Sequence, residues 1–231
     1  ADHETGHEWW PMMVGTNETW YGFMDEGFDQ YMGSLSYADR QNRAPNLDGM
    51  GQSYGRTSGD EREAPLMWDA NYGGPMYSFQ AYSKAPLMLS MLGGIVGDSA
   101  VWRAMSDYAK AWRFRHPSPW DYAFYMSNAL RQDLGWFWYS WLFTTDAVDG
   151  SIQNVRTAGP RTTVTVRQDG QMPSPVVLAV HFAPQGPAVR PMVNARLVDD
   201  STAIVTYPVD VWFGGSRTFE AVLNFGARRI E

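Results

Sequence analysis

Trp20, Phe23, Met24, Phe28 and Tyr31 recur at helical spacing between Glu18 and Met32, which predicts a helix with one apolar face. Residues 1–14 read as a shorter helix before it. Gly15 can end that first helix, with Pro11 near its last turn, and Thr16 or Asn17 can cap the second. From Gly33 to Pro75 the pattern dissolves into Gly, Ser, Asp, Asn and Arg without a period. A stretch this long is a surface excursion, either a variable loop or a wall or lid of a cleft.

Helical periodicity returns from Tyr77 to about Leu142. Leu87, Leu89, Met91, Leu92, Ile95 and Val96 are expected to bury one helix, and Trp102, Met105, Tyr108, Ala109 and Trp112 another. His116-Pro117-Ser118-Pro119 reads as a turn with a helix cap before Trp120. The Trp-rich stretch from Trp136 to Trp141 reads as helical core in preference to a carbohydrate or cofactor platform.

Near Asp149-Gly150 the character changes. Thr162–Arg167, Val176–Phe182, Val193–Val198, Ile204–Phe213 and Thr218–Phe225 read as strands, with Asp169-Gly170 and Gly214-Gly215 as tight turns. The pattern therefore predicts an α+β chain, with a mainly helical lobe over residues 1–150 and a small antiparallel β-sandwich over residues 151–231.

Composition narrows the classes. Of the 231 residues, 44% are hydrophobic and 15% aromatic, so the chain can bury a core and is not disordered. The net charge of -7 and scattered Lys and Arg argue against a nucleic-acid partner, which needs a concentrated basic surface. The absence of Cys removes disulfides and thiolate metal sites. No apolar run reaches the roughly 18 residues of a membrane span.

The chemistry concentrates at the start of the chain. His3, Glu4 and His7 form an H-E-x-x-H motif, and Glu26 follows after eighteen intervening residues. Positions four apart share one helix face, so His3 and His7 can offer two imidazoles to one ion, with Glu4 beside them as a general base. Two His and one Glu are a known catalytic zinc set that keeps one coordination position open, and Glu26 fits as the third ligand. An H-E-x-x-H can also arise by chance on an amphipathic helix; Glu26 is what favours the zinc reading. Trp10 and Met13 stand where the metzincin extension needs Gly and His, which excludes that branch. His116 has no second ligand at i+4 and is expected to make structural hydrogen bonds; His181 has no partner either.

On these residues the chain resembles the M1 family of zinc metallopeptidases, gluzincin aminopeptidases of bacterial type. Met24-Asp25-Glu26-Gly27-Phe28 looks like the segment around that family's third ligand, and Asn17-Glu18 like a pair frequent in its bacterial members. Ala81-Tyr82-Ser83-Lys84-Ala85-Pro86 resembles its Tyr-x-Lys-Gly stretch, whose tyrosine stabilises the oxyanion. Trp112 to Trp120 and Asp133 to Leu142 are similar to bacterial members too. The likeness covers residues 1 to about 155 well and the rest loosely. Ala85-Pro86 departs from the commoner Gly-Ala, yet Pro is tolerated in a first helical turn.

The resemblance implies a thermolysin-like catalytic lobe, a Zn2+ cofactor on His3, His7 and Glu26, and a peptide substrate. It assigns Glu4 as general base and Tyr82 as oxyanion stabiliser. Asp29 and Gln30, one turn beyond Glu26, are candidates by position to orient a ligand imidazole. The resemblance also implies a periplasmic or secreted location. The family's Gly-x-Met-Glu-Asn loop, which grips the substrate's free amine, and its amino-terminal β domain lie upstream of the zinc motif. The chain accordingly looks like the carboxy-terminal portion of a larger enzyme, with the amino-terminal portion as a partner. Two other functions fit the same residues: opening of lipid epoxides at the same zinc, and a non-catalytic peptide-binding or scaffolding fragment.

Overall fold

The computed structural model of the chain describes residues 2–183 and 192–231, which fall into two units divided between Asp146 and Ala147. Its helices and antiparallel sheets make it an α+β chain.

In the first unit α1 (Asp2–Gly6) is a single turn and a half, shorter than the expected helix. Pro11 has no N–H to continue it. The chain coils onward in wider turns, Met12 N–H bonding the His7 carbonyl at 3.1 Å and Val14 N–H that of Trp9 at 3.0 Å. A π-helical turn at Phe23–Gly27 then opens α2 (Phe28–Arg40), which runs past the Met32 at which its apolar pattern stops.

The excursion expected to lack periodicity contains a second correction, α3 (Asp48–Thr57). It buries no residue and carries Gly49, Gly51 and Gly55, so no hydrophobic stripe announces it. Tyr54 anchors it, ring centroids 6.3 Å from Phe79 and 6.1 Å from Trp141. After α4 (Ala70–Gly73), α5 (Tyr77–Phe79) leads through a second π-helical turn, Gln80–Lys84, into α6 (Ala85–Val96). Here the buried stripe is Ala85, Met88, Leu89 and Leu92, while Leu87, Met91, Ile95 and Val96 are only half-buried. A helix apolar all round does not reveal its inward face by periodicity.

α7 (Asp98–Trp112), α8 (Pro119–Leu130) and α9 (Gly135–Trp138) complete the unit, α9 running into a third π-helical turn at Tyr139–Phe143. Along α7, Val101, Ala104, Met105 and Tyr108 are buried, whereas Trp102 is exposed and Ala109 and Trp112 half-buried. Ser118 caps α8, its side chain accepting from Asp121 N–H while Asp121 accepts from Ser118 N–H. His116 bonds the Gly15 carbonyl at 3.0 Å. The core centres on Phe28, Tyr31, Met88, Leu92, Met105, Tyr108, Tyr122 and Phe137, all fully buried, each hydrophobic side chain contributing about 1.5–3 kcal/mol. Phe137, Trp138 and Trp141 are buried in this unit as core.

The second unit holds two antiparallel sheets. β1 (Gly150–Ala158), β2 (Arg161–Gln168) and β6 (Thr218–Leu223) form one in the order β1-β2-β6; β3 (Val176–His181), β4 (Ala195–Leu197), β5 (Thr202–Tyr207) and β7 (Arg229–Ile230) form the other in the order β4-β5-β3-β7. Alternate residues of β2, β3 and β5 are buried, and the Tyr207 and Phe219 rings meet across the sheets at 5.0 Å. Asp169-Gly170 does not close a hairpin: β2 and β3 belong to different sheets. β1 is exposed along its length and lacks the alternation that would announce it, and the strand expected to reach Phe213 stops at Tyr207, because Pro208 cannot donate to a ladder. Among the described residues no helix is long and apolar enough to cross a membrane.

Candidate metal centre

His3 on α1 and His7, the first residue past its end, stand one turn apart, their rings 4.8 Å between centroids. Both Nε2 atoms face a single carboxylate oxygen. Glu26 Oε2 lies 3.2 Å from His3 Nε2 and 3.4 Å from His7 Nε2. Glu26 reaches this point from the π-helical turn Phe23–Gly27, which presses closely on the neighbouring Gln80–Lys84 turn. Gly27 permits the approach, since a Cβ there would sit 2.4 Å from Ala85 Cβ and 3.1 Å from the Ala81 carbonyl oxygen.

The three atoms fit a metal ion. Ligand bonds of about 2.0–2.1 Å at tetrahedral angles separate two donor atoms by roughly 3.3–3.4 Å, close to the separations found. Glu26 Oε2 is also buried and accepts no hydrogen bond, an expensive state for a carboxylate oxygen unless a cation satisfies it. His3, His7 and Glu26 are the set among the described residues whose ligand atoms lie within 4.8 Å of one another.

The far side of each imidazole is held. His7 Nδ1 lies 2.7 Å from the Trp10 carbonyl oxygen, with Asp25 Oδ1 at 3.1 Å, and His3 Nδ1 lies 2.6 Å from Asp29 Oδ2. The His3–Asp29 contact is an ion-pair approach without hydrogen-bond alignment. The Trp10 bond commits the His7 ring to offering Nε2, and Asp29 stands on the Nδ1 side of His3. Among the described residues the Gln30 side chain makes no hydrogen bond to either ring, and the Gln30 carbonyl accepts from Ser34 Oγ at 2.8 Å.

Burial raises the Asp29 carboxyl to about 6, with the two imidazoles opposing the shift and Glu26 adding to it. Burial likewise raises Asp25 to about 7, with Glu26 next in effect. For His7 burial pulls the other way, but the Trp10 carbonyl and the carboxylates of Asp25, Asp29 and Glu26 outweigh it, and the ring is raised. Three carboxylates around two imidazoles make a desolvated negative site suited to a dication.

Glu4 stands on α1 next to His3 with its side chain exposed. Tyr82 comes from the Gln80–Lys84 turn, its ring 5.6 Å from that of His3. Its phenol is raised above the usual range, first by burial and then by its hydrogen bond to Glu26. The structure thus brings His3, His7, Glu26 and Tyr82 together, with Glu4 beside His3 on α1.

Sequence reading overlooks Asp25 and Tyr77. Tyr77 is raised by burial first and then by Glu26, Asp25 and Glu18, and its hydroxyl occupies space left by Gly22, where a Cβ would sit 2.6 Å away. Its only signal is its place one wide helical turn before Tyr82. Asp25 is signalled by adjacency to Glu26 within Met24-Asp25-Glu26-Gly27-Phe28.

The sequence matches no protein-family model and no curated protein. Solved structures do resemble the chain. Legionella pneumophila aminopeptidase A, crystallised with aspartic acid, is 13% identical over 99% of this chain and 24% of its own, with a TM-score of 0.59. A mutant M1 zinc metallopeptidase from Deinococcus radiodurans, bound to a Tyr-Ser-Ala substrate, is 22% identical over 62% of this chain and 32% of its own, with a TM-score of 0.52. The chain therefore spans 24% and 32% of these two peptidases, and at such identities the likeness establishes shared fold.

Proposed function

We propose that this chain carries the zinc-binding half of a peptidase site and takes part in hydrolysing peptide bonds as an aminopeptidase. His3 Nε2, His7 Nε2 and Glu26 Oε2 would hold the ion, with Tyr82 and Glu4 acting on the substrate. The observation that carries this reading is the approach of both Nε2 atoms, at 3.2 and 3.4 Å, to the buried Glu26 Oε2, which accepts no hydrogen bond. Fold likeness to two peptidases supports it.

A zinc ion bound there supplies Lewis acidity toward water and a carbonyl. Glu4, one residue from His3, accepts the proton of the attacking water on a carboxylate oxygen and returns it to the departing amine nitrogen. The Tyr82 hydroxyl donates a hydrogen bond to the carbonyl oxygen as negative charge gathers on it, a charge absent from the ground state. Asp29 and the Trp10 carbonyl hold the two imidazoles so that Nε2 stays turned inward. Residues 1–150 would be the catalytic lobe and residues 151–231 a supporting β module.

The test is metal content together with turnover. The purified chain should bind one equivalent of zinc and hydrolyse an aminoacyl p-nitroanilide, and Glu26→Ala should lose both. Zinc retained at full stoichiometry in Glu26→Ala would remove the ligand assignment. Zinc bound without turnover would favour a binding or scaffolding role.

A further inference from the structure

Lys84 and Glu63 form an ion pair with almost no solvent exposure, 0% and 1% for the two side chains, at 2.5 Å between Nζ and Oε1. Each member of the pair has a second partner. Lys84 Nζ also reaches the Thr144 carbonyl at 3.5 Å, and Glu63 Oε2 accepts from Gly59 N–H at 2.9 Å. Removing a charge pair from water carries a desolvation cost that an apolar pair of the same volume avoids, so stability alone does not call for it here. What a buried, directional pair supplies beyond an apolar contact is register.

The register concerns Tyr82. On the Gln80–Lys84 turn Gln80 and Lys84 stack one above the other with Ser83 beside them, and Tyr82 points half a turn away, toward His3. The side of the turn remote from the metal centre is held throughout by the preceding excursion. The Gln80 amide donates to the Ala64 and Pro65 carbonyls, Ser83 Oγ bonds Ser53 Oγ at 3.2 Å, and Lys84 bonds Glu63. A rotation of this turn of a few tens of degrees, enough to move the Tyr82 ring off His3, would strain all three attachments.

We propose that the Glu63–Lys84 pair is a clasp that locks the 58–67 segment onto the Gln80–Lys84 turn and thereby positions the Tyr82 hydroxyl over the metal centre. Glu63 and Lys84 are then positioning residues that act through Tyr82. Its kinetic consequence rests on the peptidase reading above; its structural consequence does not.

Three measurements on Lys84→Met test it, with zinc content followed throughout. Against an aminoacyl p-nitroanilide, kcat should fall about tenfold or more with KM within about twofold, because misplacement of a group that acts on the transition state costs turnover. In a Tyr82→Phe background the same substitution should change kcat by less than about twofold, since the group it positions is already gone. An equal loss in both backgrounds would overturn the proposal. Trypsin should cut after the exposed Arg56 and Arg62 about tenfold faster in Lys84→Met than in wild type or in the surface control Lys110→Ala, and unchanged cleavage would also overturn it.

The third measurement needs no activity. In spectra of protein labelled with 13C at tyrosine Cζ, the Tyr82 resonance, identified by its loss in Tyr82→Phe, should shift in Lys84→Met while that of Tyr207 stays. A Tyr82 resonance that does not move contradicts the clasp. Absence of wild-type turnover with zinc bound counts against the peptidase reading alone and leaves cleavage and resonance to decide the clasp. Should Lys84→Met not fold, Glu63→Gln keeps the side-chain shape and an acceptor for Gly59 and carries the same comparisons.

Discussion

Gly6 and Asp29 occupy the same space: a Cβ on Gly6 would fall 1.6 Å from Asp29 Oδ1. The missing side chain is what lets the Asp29 carboxylate lie against His3 Nδ1, so the glycine inside H-E-x-x-H belongs to the candidate metal centre. Gly6→Ala should displace Asp29 and weaken zinc binding about 10–100-fold, the usual effect of losing a partner that orients a ligand imidazole. Competition with a chromophoric chelator would measure it. Unchanged affinity would mean that Asp29 does not orient His3.

Glu4 and the histidines should separate by readout. Glu4→Gln keeps the three ligands and should retain zinc while turnover drops about 10²–10⁴-fold, the range for loss of a general base. His3→Ala should lose the metal itself. Parallel metal analysis and p-nitroanilide kinetics distinguish the two, and full turnover in Glu4→Gln would end the assignment of the base.

What is legible in the sequence follows from what is local. The four-residue step from His3 to His7 puts both rings on one face, and the third candidate ligand, Glu26, stands on the next apolar-periodic segment, so both can be read without coordinates. Tyr82 is reachable only through a resemblance, since nothing near it in sequence announces a site. Asp29 stands one turn after Glu26, but its contact with His3 depends on Gly6, which reads as an unremarkable helix position. The Glu63–Lys84 pair joins a turn in a polar stretch to a helix twenty-one positions on, and no periodicity encodes a long-range pair. The fold divides the same way. The amphipathic helices and alternating strands can be read, while glycine-rich α3, exposed β1 and the inward face of the uniformly apolar α6 cannot, because each lacks the polar–apolar contrast that pattern reading uses.

Without metal, stability should fall as pH rises from about 5 to 8. Asp25, raised to about 7, and Asp29, raised to about 6, hold protons in the folded chain that the unfolded chain has released, so their contribution is full below about 4 and is lost as pH rises through the folded values. His7, also raised, acts in the same direction: its contribution is present below about 6.5 and lost above its folded value. Thermal melts in a chelating buffer at pH 5, 6, 7 and 8 should show a declining Tm, and Asp25→Asn should flatten the decline. Saturating zinc should reverse it over the same window, because metal ligands bind deprotonated. A rising Tm in chelator would contradict the assigned shifts.

Tyr108 is fully buried among aromatic rings, 5.1 Å from Tyr122 and 6.0 Å from Trp10 between centroids, and its hydroxyl has no hydrogen-bond partner among the described residues. A desolvated hydroxyl without a partner is destabilising. Tyr108→Phe keeps the ring packing and removes that group, so it should leave stability unchanged or raise it by up to about 1 kcal/mol. Urea unfolding would show this as an equal or higher midpoint at constant slope. A loss above about 1 kcal/mol would reveal a partner for the hydroxyl, such as a buried water.

Tyr82→Phe isolates one hydroxyl. The ring, 5.6 Å from that of His3, stays to pack, so folding and zinc binding should persist. Glu26, one of the proposed ligands, acts on the Tyr82 phenol, so two roles compete: steadying that ligand, or donating to a substrate oxygen. They predict different losses. Steadying the ligand would lower zinc affinity and leave turnover at saturating zinc unchanged. Donation to an oxygen that gains charge only in the transition state would lower kcat by about 10²–10³-fold with KM little altered. Burial keeps the phenol protonated well past neutral pH, so the donor is present across the working range and the loss should not depend on pH between about 6 and 9. Kinetics at saturating zinc across that range choose between the roles, and a zinc-reversible defect would withdraw Tyr82 from the chemistry.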